Sequence, residues 1–372
     1  LQNAIRKGET SPVFKALGEG TEGVDQAIDS IGLERCIKQG ARAIGWKRKR
    51  GRPGKGRVRR GIGMCALMQG SSIPEVDMGA ASLKLNEDGS FNLLVGATDL
   101  GTGSDTVLAQ IAAEVLGVEL SKILVRSSDT DLTPFDVGAY ASSTTYLSGE
   151  AVRKVALDVA KQIRKVAAEI LDQPLAKLKL SGGQVVAPDG QAVGLDRIAL
   201  RTLYETDQHQ IAAFASNISH KSPPPFSAHF AEVEVDLDTG QVRVVKYVAA
   251  TDCGTAINPQ LAEGQVEGAV LNGISYALCE EFLFDAKGRM KNPSFGQYKI
   301  FTTRDLPELV TIMVPTYEKS GPYGAKSVSE IGINGPIPAI SNAIYDAVGV
   351  RLRSSPFTPE RVLAALDAEE NL

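Results

Sequence analysis

Two short stretches decide how this sequence folds: ATDLGTG at residues 97–103 and ATDCGTA at residues 250–256. Each follows two runs of alternating apolar and polar residues and precedes a run with helical periodicity. Alternation with period two predicts half-buried strands, and glycine in the turn permits backbone conformations that other residues avoid. The chain therefore repeats one unit, which consists of a β-hairpin, a Gly-rich turn and a helix.

The first copy of this unit begins at Gly79. Its two alternating runs meet at Asp88-Gly89, a dipeptide that strongly favours a hairpin turn. The stretch from Ser104 to Gly117 has helical periodicity, with Ser104 or Asp105 as the predicted N-cap and Gly117 as the stop. A short apolar run at residues 123–128 then predicts a further strand.

The second copy begins at Ala228 and has the same order of elements. Its strands are predicted to turn at Asp238-Thr239-Gly240, and its helix opens with Asn258-Pro259. Asn as N-cap followed by Pro in the first turn is typical of a helix start. The two copies have the same alternation of apolar residues and similar turn and helix-start residues, which predicts a duplicated structure.

The remaining segments complete an α+β fold with two related halves, in which hairpins and helices are mixed rather than arranged as a parallel sheet. A long helix is predicted from Tyr146 to Leu171, and a Pro-rich linker at residues 222–226 is the predicted domain boundary. Two more helices are predicted near the C-terminus, at Pro336–Val348 and Pro359–Ala368. We divide the chain into a helical and basic connector (1–60), a first ligand-binding half (61–221) and a second half (222–372).

Composition limits the classes of function. The chain has 372 residues, of which 43% are hydrophobic, and a formal net charge of −4, which gives no general attraction to nucleic acid. Its apolar runs are too short for membrane insertion and no secretory leader is apparent, so we expect a cytoplasmic protein. The four cysteines form no C-x-x-C pair, which argues against a zinc or iron–sulfur site in this chain.

One basic stretch stands apart from this acidic balance. Residues 47–60 carry nine Lys or Arg side chains. RNA or a membrane surface would attract such a run, whereas its Gly and Pro content favours a solvated, flexible connector. A patch that docks an acidic partner or a ligand phosphate is the third interpretation.

Three stretches are candidates for ligand binding or catalysis. The Gly-rich turn ahead of a helix exposes backbone N–H groups that suit phosphates. A row of hydroxyls, Ser142 to Thr145, stands before the long helix and exceeds what one helix cap requires. Glu330 lies among small residues in GAKSVSEIGINGP, where a confined carboxylate would become a base; a surface glutamate is the alternative.

Four motifs in this order resemble a known family. DLGTGSDTVLAQ, AYASSTTYLSGEA, GQVEGAVLNG and GAKSVSEIGINGP are similar to the C-terminal half of the molybdopterin-binding subunit of the xanthine oxidase family, the molybdenum hydroxylases. The resemblance implies a duplicated α+β domain that holds one elongated pterin cofactor between its halves. It also implies a molybdenum-dependent oxidoreductase, with molybdopterin, expected in its cytosine dinucleotide form, as the cofactor.

The resemblance assigns roles to residues. Glu330 matches the catalytic glutamate, and Ala141 would place its backbone beside the molybdenum. In the family, glutamine is usual at the position of Thr102, and Ser327 and Ser329 replace two glycines, which leaves the path of the Glu330 loop open. The implied cofactor-binding residues are Gly101, Thr102, Gly103, Ala141, Ser142, Ser143, Thr144, Thr145 and Gln265, and the predicted substrate pocket adds Gln69, Ser71, Ser72 and Tyr140.

The implied reaction is the hydroxylation of an N-heterocycle of purine or nicotinate type, with water as the oxygen source and Glu330 as the general base. The family's Gly-Gly-x-Phe-Gly-Gly motif is not in this sequence, so we expect a partner chain that carries the N-terminal half of the molybdopterin subunit, or a longer parent chain. FAD and [2Fe-2S] clusters are expected on further partner subunits. Alternatives are a non-catalytic cofactor-binding or assembly half, and a family member that acts on an aldehyde or an aromatic CoA thioester.

Overall fold

A computed structural model describes residues 1–372 except Leu17, Glu19, Thr21, Thr206, Asn371 and Leu372. The helices are α1 Pro12–Ala16, α2 Leu33–Ile44, α3 Trp46–Lys49, α4 Ser104–Leu116, α5 Thr144–Leu171, α6 Leu195–Tyr204, α7 Pro259–Leu278, α8 Pro336–Val348 and α9 Pro359–Glu370. The strands are β1 Val58–Met68, β2 Met78–Leu85, β3 Phe91–Val95, β4 Ile123–Ser127, β5 Lys179–Ser181, β6 Gln184–Val186, β7 Ala192–Gly194, β8 Ala212–Ile218, β9 Phe226–Asp236, β10 Val242–Asp252 and β11 Glu308–Met313. In the described part of the chain, no helix is long and apolar enough to cross a bilayer.

Two four-stranded sheets share one topology, which confirms the predicted duplication. The first has the order β4-β3-β2-β8 and the second the order β11-β10-β9-β1. In each, an antiparallel hairpin leads through a Gly-rich turn and a helix to a strand that lies parallel to the second hairpin strand. Each unit thus contains one parallel pair that the sequence did not predict, because a helical crossover returns the chain in the same direction.

The second sheet takes one edge strand, β1, from the part of the chain that precedes the first sheet. Strand β1 precedes β2 in sequence but pairs with β9, and β8 precedes β9 but pairs with β2. The predicted ranges differ from this arrangement, since β1 begins before residue 61 and belongs entirely to the second sheet. The first sheet is therefore inserted in sequence between β1 and the rest of the second sheet.

Helices cover both sheets and bury their apolar faces. Helices α4 and α5 pack on the first sheet, α8 packs on one face of the second sheet, and α2 packs on its other face. Helix α8 approaches β1 so closely that a Cβ atom on Gly63 would lie 2.2 Å from the Ala339 carbonyl oxygen. Glycine is required there because any side chain would overlap the helix backbone.

The basic stretch is mostly structured, so its interpretation as a flexible connector is wrong for the part that forms α3 and β1. Four of its cations pair with carboxylates on the second sheet or on α8: Lys49 with Glu232, Arg50 with Asp346, Arg57 with Asp236, and Arg60 with Glu234. In each pair the cation is partly exposed, whereas the carboxylate is only 4–17% exposed. These pairs show that part of the basic run matches an acidic surface within the same molecule.

Candidate functional site

The two repeated turns line one cavity of about 230 Å³. Leu100 and Thr102 of the first turn face residues of the second turn, including Cys253 and Thr255, across this space. The site therefore lies between the two sheets, where neither half could form it alone. This position gives the repeated sequence a structural reason, because each copy contributes one wall.

Three helices begin at the cavity. Ser104 is the first residue of α4, Thr144 is the first residue of α5, and Asn258 caps α7; all three line the space. The Asn258 side chain accepts a hydrogen bond from the Leu261 N–H at 3.1 Å, as its sequence predicted. Helix N-termini carry partial positive charge, so their convergence favours an anionic ligand.

The first turn is organised by Asp99. Its carboxylate accepts hydrogen bonds from the N–H groups of Gly101 at 2.9 Å, Gly103 at 3.1 Å and Asp105 at 3.3 Å. Burial opposes ionisation, but these backbone N–H groups outweigh it and lower the pKa of Asp99. The prediction that the turn exposes unpaired N–H groups for a phosphate is therefore wrong for Gly101 and Gly103, since an internal carboxylate already occupies these donors.

The glycines of the first turn allow its backbone conformation. Gly101 and Gly103 have φ values of +94° and +76°, in the left-handed region. A Cβ atom on Gly103 would also lie 2.5 Å from the Leu261 side chain. Gly103 is the N-cap of α4 and the Asp99 carboxylate accepts the Asp105 N–H, so the predicted cap at Ser104 or Asp105 is corrected. Of the turn residues expected to bind the cofactor, Thr102 lines the cavity.

The second turn is organised by the matching residue, Asp252, which reaches further through the fold. Its carboxylate accepts from Gly254 N–H at 2.9 Å, Thr316 Oγ1 at 2.6 Å and Gly32 N–H at 2.7 Å. It also pairs with Lys326 Nζ at 2.8 Å, and both side chains are fully buried. Because Lys326 begins the loop that carries Glu330, this ion pair joins the second turn to that loop.

The hydroxyl row divides into residues that face the cavity and one that does not. Ser142, Thr144 and Thr145 line the space. Ser143 is buried, and its hydroxyl donates to the Tyr140 carbonyl oxygen at 2.9 Å. The expected role of Ser143 as a cofactor ligand is therefore corrected, because its hydrogen bond holds the turn before α5. Ala141 precedes this group with φ +50°.

Glu330 lies at the mouth of the cavity. Its side chain is exposed, so the expectation of a confined, poorly solvated carboxylate is wrong for this chain. The Oε2 atom accepts hydrogen bonds from Gln69 Nε2 at 2.6 Å and from Ser142 Oγ at 3.0 Å. Three stretches that are far apart in sequence thus meet at one carboxylate.

The two serines that replace family glycines tie the Glu330 loop to its surroundings. Ser327 Oγ donates to the Gly70 carbonyl oxygen at 2.9 Å, and Ser329 Oγ donates to Gln265 Oε1 at 3.0 Å. Ser329 has an ordinary φ of −69°, so the loop path does not require glycine there. Gln265 also lines the cavity.

Most of the predicted substrate-pocket residues have structural partners instead. Ser71 Oγ donates to the Pro223 carbonyl oxygen at 2.6 Å, and Ser72 Oγ lies 2.7 Å from Ser219 Oγ. Both serines are buried and hold the Pro-rich linker against the end of β1, which corrects their assignment to a substrate pocket. The Tyr140 hydroxyl donates to the Asp77 carboxylate, and Gln69 contacts Glu330 as described above.

Ser104 is a candidate ligand residue that the sequence did not identify. It lines the cavity, is 5% exposed, and its hydroxyl has no hydrogen-bond partner among the described residues. A buried hydroxyl without a partner is costly, so a ligand polar atom would fit this position. Its place after Gly103 suggested only a helix cap. The described residues contain no group of three or more His, Cys, Asp or Glu side chains that could hold a metal ion.

Comparisons with known proteins agree on one family. The model of the molybdopterin cofactor-binding domain matches residues 39–307. The probable hypoxanthine oxidase XdhD of Escherichia coli (strain K12) is 38% identical over 368 residues, which cover 98% of this chain and 38% of that protein. The putative xanthine dehydrogenase molybdenum-binding subunit XdhA of the same strain is 36% identical over 372 residues, 97% of this chain and 48% of that protein.

A solved structure shows the same fold. Quinoline 2-oxidoreductase from Pseudomonas putida 86 superposes with a TM-score of 0.86 and 23% sequence identity, over 92% of this chain and 47% of that chain. The chain thus spans less than half of the length of each of these three proteins. The remainder of each protein has no counterpart in these 372 residues.

Proposed function

Because this chain belongs to the molybdopterin cofactor-binding domains of the xanthine oxidase family, we propose that it forms one wall of a molybdenum hydroxylase active site and supplies Glu330 as the general base. One observation carries this proposal: both repeated turns and three helix N-termini converge on a single cavity with a carboxylate at its mouth. Positively polarised helix ends suit the phosphate of a pterin cofactor, whereas the carboxylate suits proton transfer.

The lining residues fit a molybdopterin cofactor. Thr102, Thr144 and Thr145 offer hydroxyls, and the orphaned Ser104 hydroxyl adds a further buried donor. Gln265 lies on the same wall as the Glu330 loop. When bound, the cofactor supplies the metal that activates water and accepts the electrons of the substrate. We propose the cytosine dinucleotide form, with Ala141 nearest the metal.

Glu330 would accept the proton, and the contacts of its loop would fix the position of the carboxylate at the cavity. Ser327 and Ser329 tether that loop to the end of β1 and to α7, and the Asp252–Lys326 pair anchors its start. These contacts support a catalytic role over a non-catalytic assembly half, because they hold the carboxylate against the cavity. A general base of this kind contributes roughly 10²–10⁴ in rate.

We propose an N-heterocycle of purine or nicotinate type as the substrate. The two similar Escherichia coli proteins are described as a probable hypoxanthine oxidase and a putative xanthine dehydrogenase subunit. The open position of Glu330 supports the proposal that a partner polypeptide, the other half of the molybdopterin subunit, covers the mouth of the cavity. Separate subunits would carry FAD and [2Fe-2S] clusters for electron removal.

The substitution Glu330→Gln tests the base in the assembled complex. It preserves shape and removes the ionisable group, so kcat/KM should fall by roughly 10²–10⁴ while the molybdenum and pterin contents stay at the unsubstituted level. Glu87→Gln, in the exposed hairpin turn, is the matched control and should leave kcat/KM unchanged. Unchanged turnover in Glu330→Gln contradicts the role of this residue, and an unsubstituted complex without molybdenum contradicts the cofactor.

The substrate class is tested with the same complex. Initial rates with hypoxanthine and nicotinate should exceed those with benzaldehyde and with 4-hydroxybenzoyl-CoA. A preference for the aldehyde or for the CoA thioester would replace the N-heterocycle with that class and leave the assignment of Glu330 intact.

A further inference from the structure

One serine makes two hydrogen bonds to the same glutamate. Ser142 Oγ accepts the backbone N–H of Glu330 at 3.0 Å and donates to its Oε2 atom at 3.0 Å. A serine hydroxyl has a single proton, so the bond to the carboxylate uses the only one available. This geometry is incompatible with the predicted use of the same proton for a cofactor phosphate.

Gln69 completes the arrangement from the end of β1. Its Nε2 atom donates to the same carboxylate oxygen at 2.6 Å. The other oxygen, Oε1, has no hydrogen-bond donor among the described residues. Two donors thus occupy one side of the carboxylate and leave the second oxygen open at the cavity mouth.

The backbone around Ser142 is held in an unfavourable conformation. Ala141 and Ser142 have φ values of +50° and +55°, in the left-handed region. Residues other than glycine rarely adopt this conformation, and it persists only where surrounding contacts impose it. Here the Ser143 N–H donates to the Tyr140 carbonyl oxygen at 3.1 Å, and the Ser142 hydroxyl contacts Glu330 on the other side.

We infer that Ser142 and Gln69 are positioning residues for Glu330: they hold Oε2, so that Oε1 is presented for proton transfer. The inference rests on the proposed role of Glu330 as the base. An exposed glutamate samples several rotamers, and two donors restrict it to one. The inference changes the expected roles of both residues, Ser142 from phosphate ligand and Gln69 from substrate pocket.

A matched pair of substitutions separates the hydroxyl from the backbone. Both Ser142→Ala and Ser142→Gly remove the hydroxyl, but only glycine accepts φ +55° without strain. In the assembled complex both should lower kcat by about 10- to 100-fold, the range for small misplacements of a catalytic group. Both should leave KM within about 2-fold and the molybdenum and pterin contents unchanged. Ser142→Gly should unfold at a higher temperature than Ser142→Ala.

Gln69→Ala should lower kcat in the same way. The double variant Gln69→Ala/Ser142→Ala should lose less than the product of the two single losses, because both side chains act on one oxygen. Unsubstituted kcat in Ser142→Gly overturns the inference, since the backbone rather than the hydroxyl would then matter. Loss of molybdenum or pterin in proportion to activity also overturns it, since Ser142 would then be a cofactor ligand.

The two proposals fail in different ways. If Glu330→Gln is active, the proposed function of Glu330 fails and the inference fails with it. If Glu330→Gln is inactive while the Gln69 and Ser142 variants keep the unsubstituted kcat, only the positioning inference fails.

Discussion

Replacing Lys326 with methionine tests how strongly the buried ion pair holds the Glu330 loop. The substitution keeps most of the side-chain length but leaves the Asp252 carboxylate without a cation in a site where both side chains are fully buried. Asp252 keeps three donors, from Gly32, Gly254 and Thr316, which do not replace the lost charge. Breaking a buried pair by removing one partner costs about 3–5 kcal/mol in the free energy of unfolding.

The expected change is large enough for a thermal melt. At about 2 °C per kcal/mol, the low end of the range and the value suited to a large chain, the unfolding midpoint of Lys326→Met should fall by about 6–10 °C. The double variant Asp252→Asn/Lys326→Met should recover part of this loss, because it leaves no unpaired charge in the interior. Differential scanning calorimetry at one scan rate provides the comparison.

Lys246→Met is the matched control. Lys246 pairs with Glu308 at 2.7 Å, but the Glu308 side chain is 64% exposed. Such a pair contributes about 1 kcal/mol or less, so the midpoint should fall by no more than about 2 °C. If Lys326→Met lowers the midpoint no further than Lys246→Met does, the buried pair does not anchor the loop and the reasoning is refuted.

Two further predictions concern pH and thiol reactivity. Asp99→Asn should lower the free energy of unfolding by about 0.3–1 kcal/mol at pH 7, the range for a negative charge near a helix N-terminus, because asparagine keeps an acceptor oxygen but not the charge. Because the folded pKa of Asp99 is lowered, its contribution is present above the ordinary pKa of about 3.9 and is lost as the pH falls through the folded value. Urea unfolding should therefore show the difference between the two proteins disappearing as the pH falls below the ordinary carboxyl pKa, and a difference that does not change with pH would contradict this. Burial raises the pKa of the Cys36, Cys65 and Cys253 thiols to about 12. At pH 8 these thiols stay protonated, so iodoacetamide should not label them in the native protein but should label them in urea, as read by mass spectrometry; rapid native labelling of Cys253 would show that the cavity wall opens.

The two repeated turns share one aspartate–glycine hydrogen bond, but the two aspartates have different further partners. In both, an aspartate accepts the N–H of the glycine two residues later: Gly101 at 2.9 Å in the first turn and Gly254 at 2.9 Å in the second. Asp99 then caps its own turn, whereas Asp252 reaches the buried Lys326. One copy thus supports a cavity wall and the other anchors the Glu330 loop.

The sequence by itself was sufficient for features that depend on neighbouring residues. Alternation predicted both hairpins, Asn258-Pro259 predicted the start of α7, and Gly117 predicted the end of α4. These signals are local, because side-chain periodicity and backbone preference are properties of a few adjacent residues. The family motifs placed Glu330 and Gln265 at one site, and the structure has both lining one cavity.

Only the tertiary structure decided the features that depend on distant residues. The alternation of β1 does not say which sheet it joins, and it joins the second rather than the first. The sequence of a polar stretch does not show which of its serines are buried and which face a cavity. Ser71 and Ser143 are buried, whereas Ser142 lines the cavity. Glu330 meets partners 188 and 261 positions away. Such contacts arise from how the two sheets and their loops pack together, and that packing leaves no periodic trace in the residues around each partner.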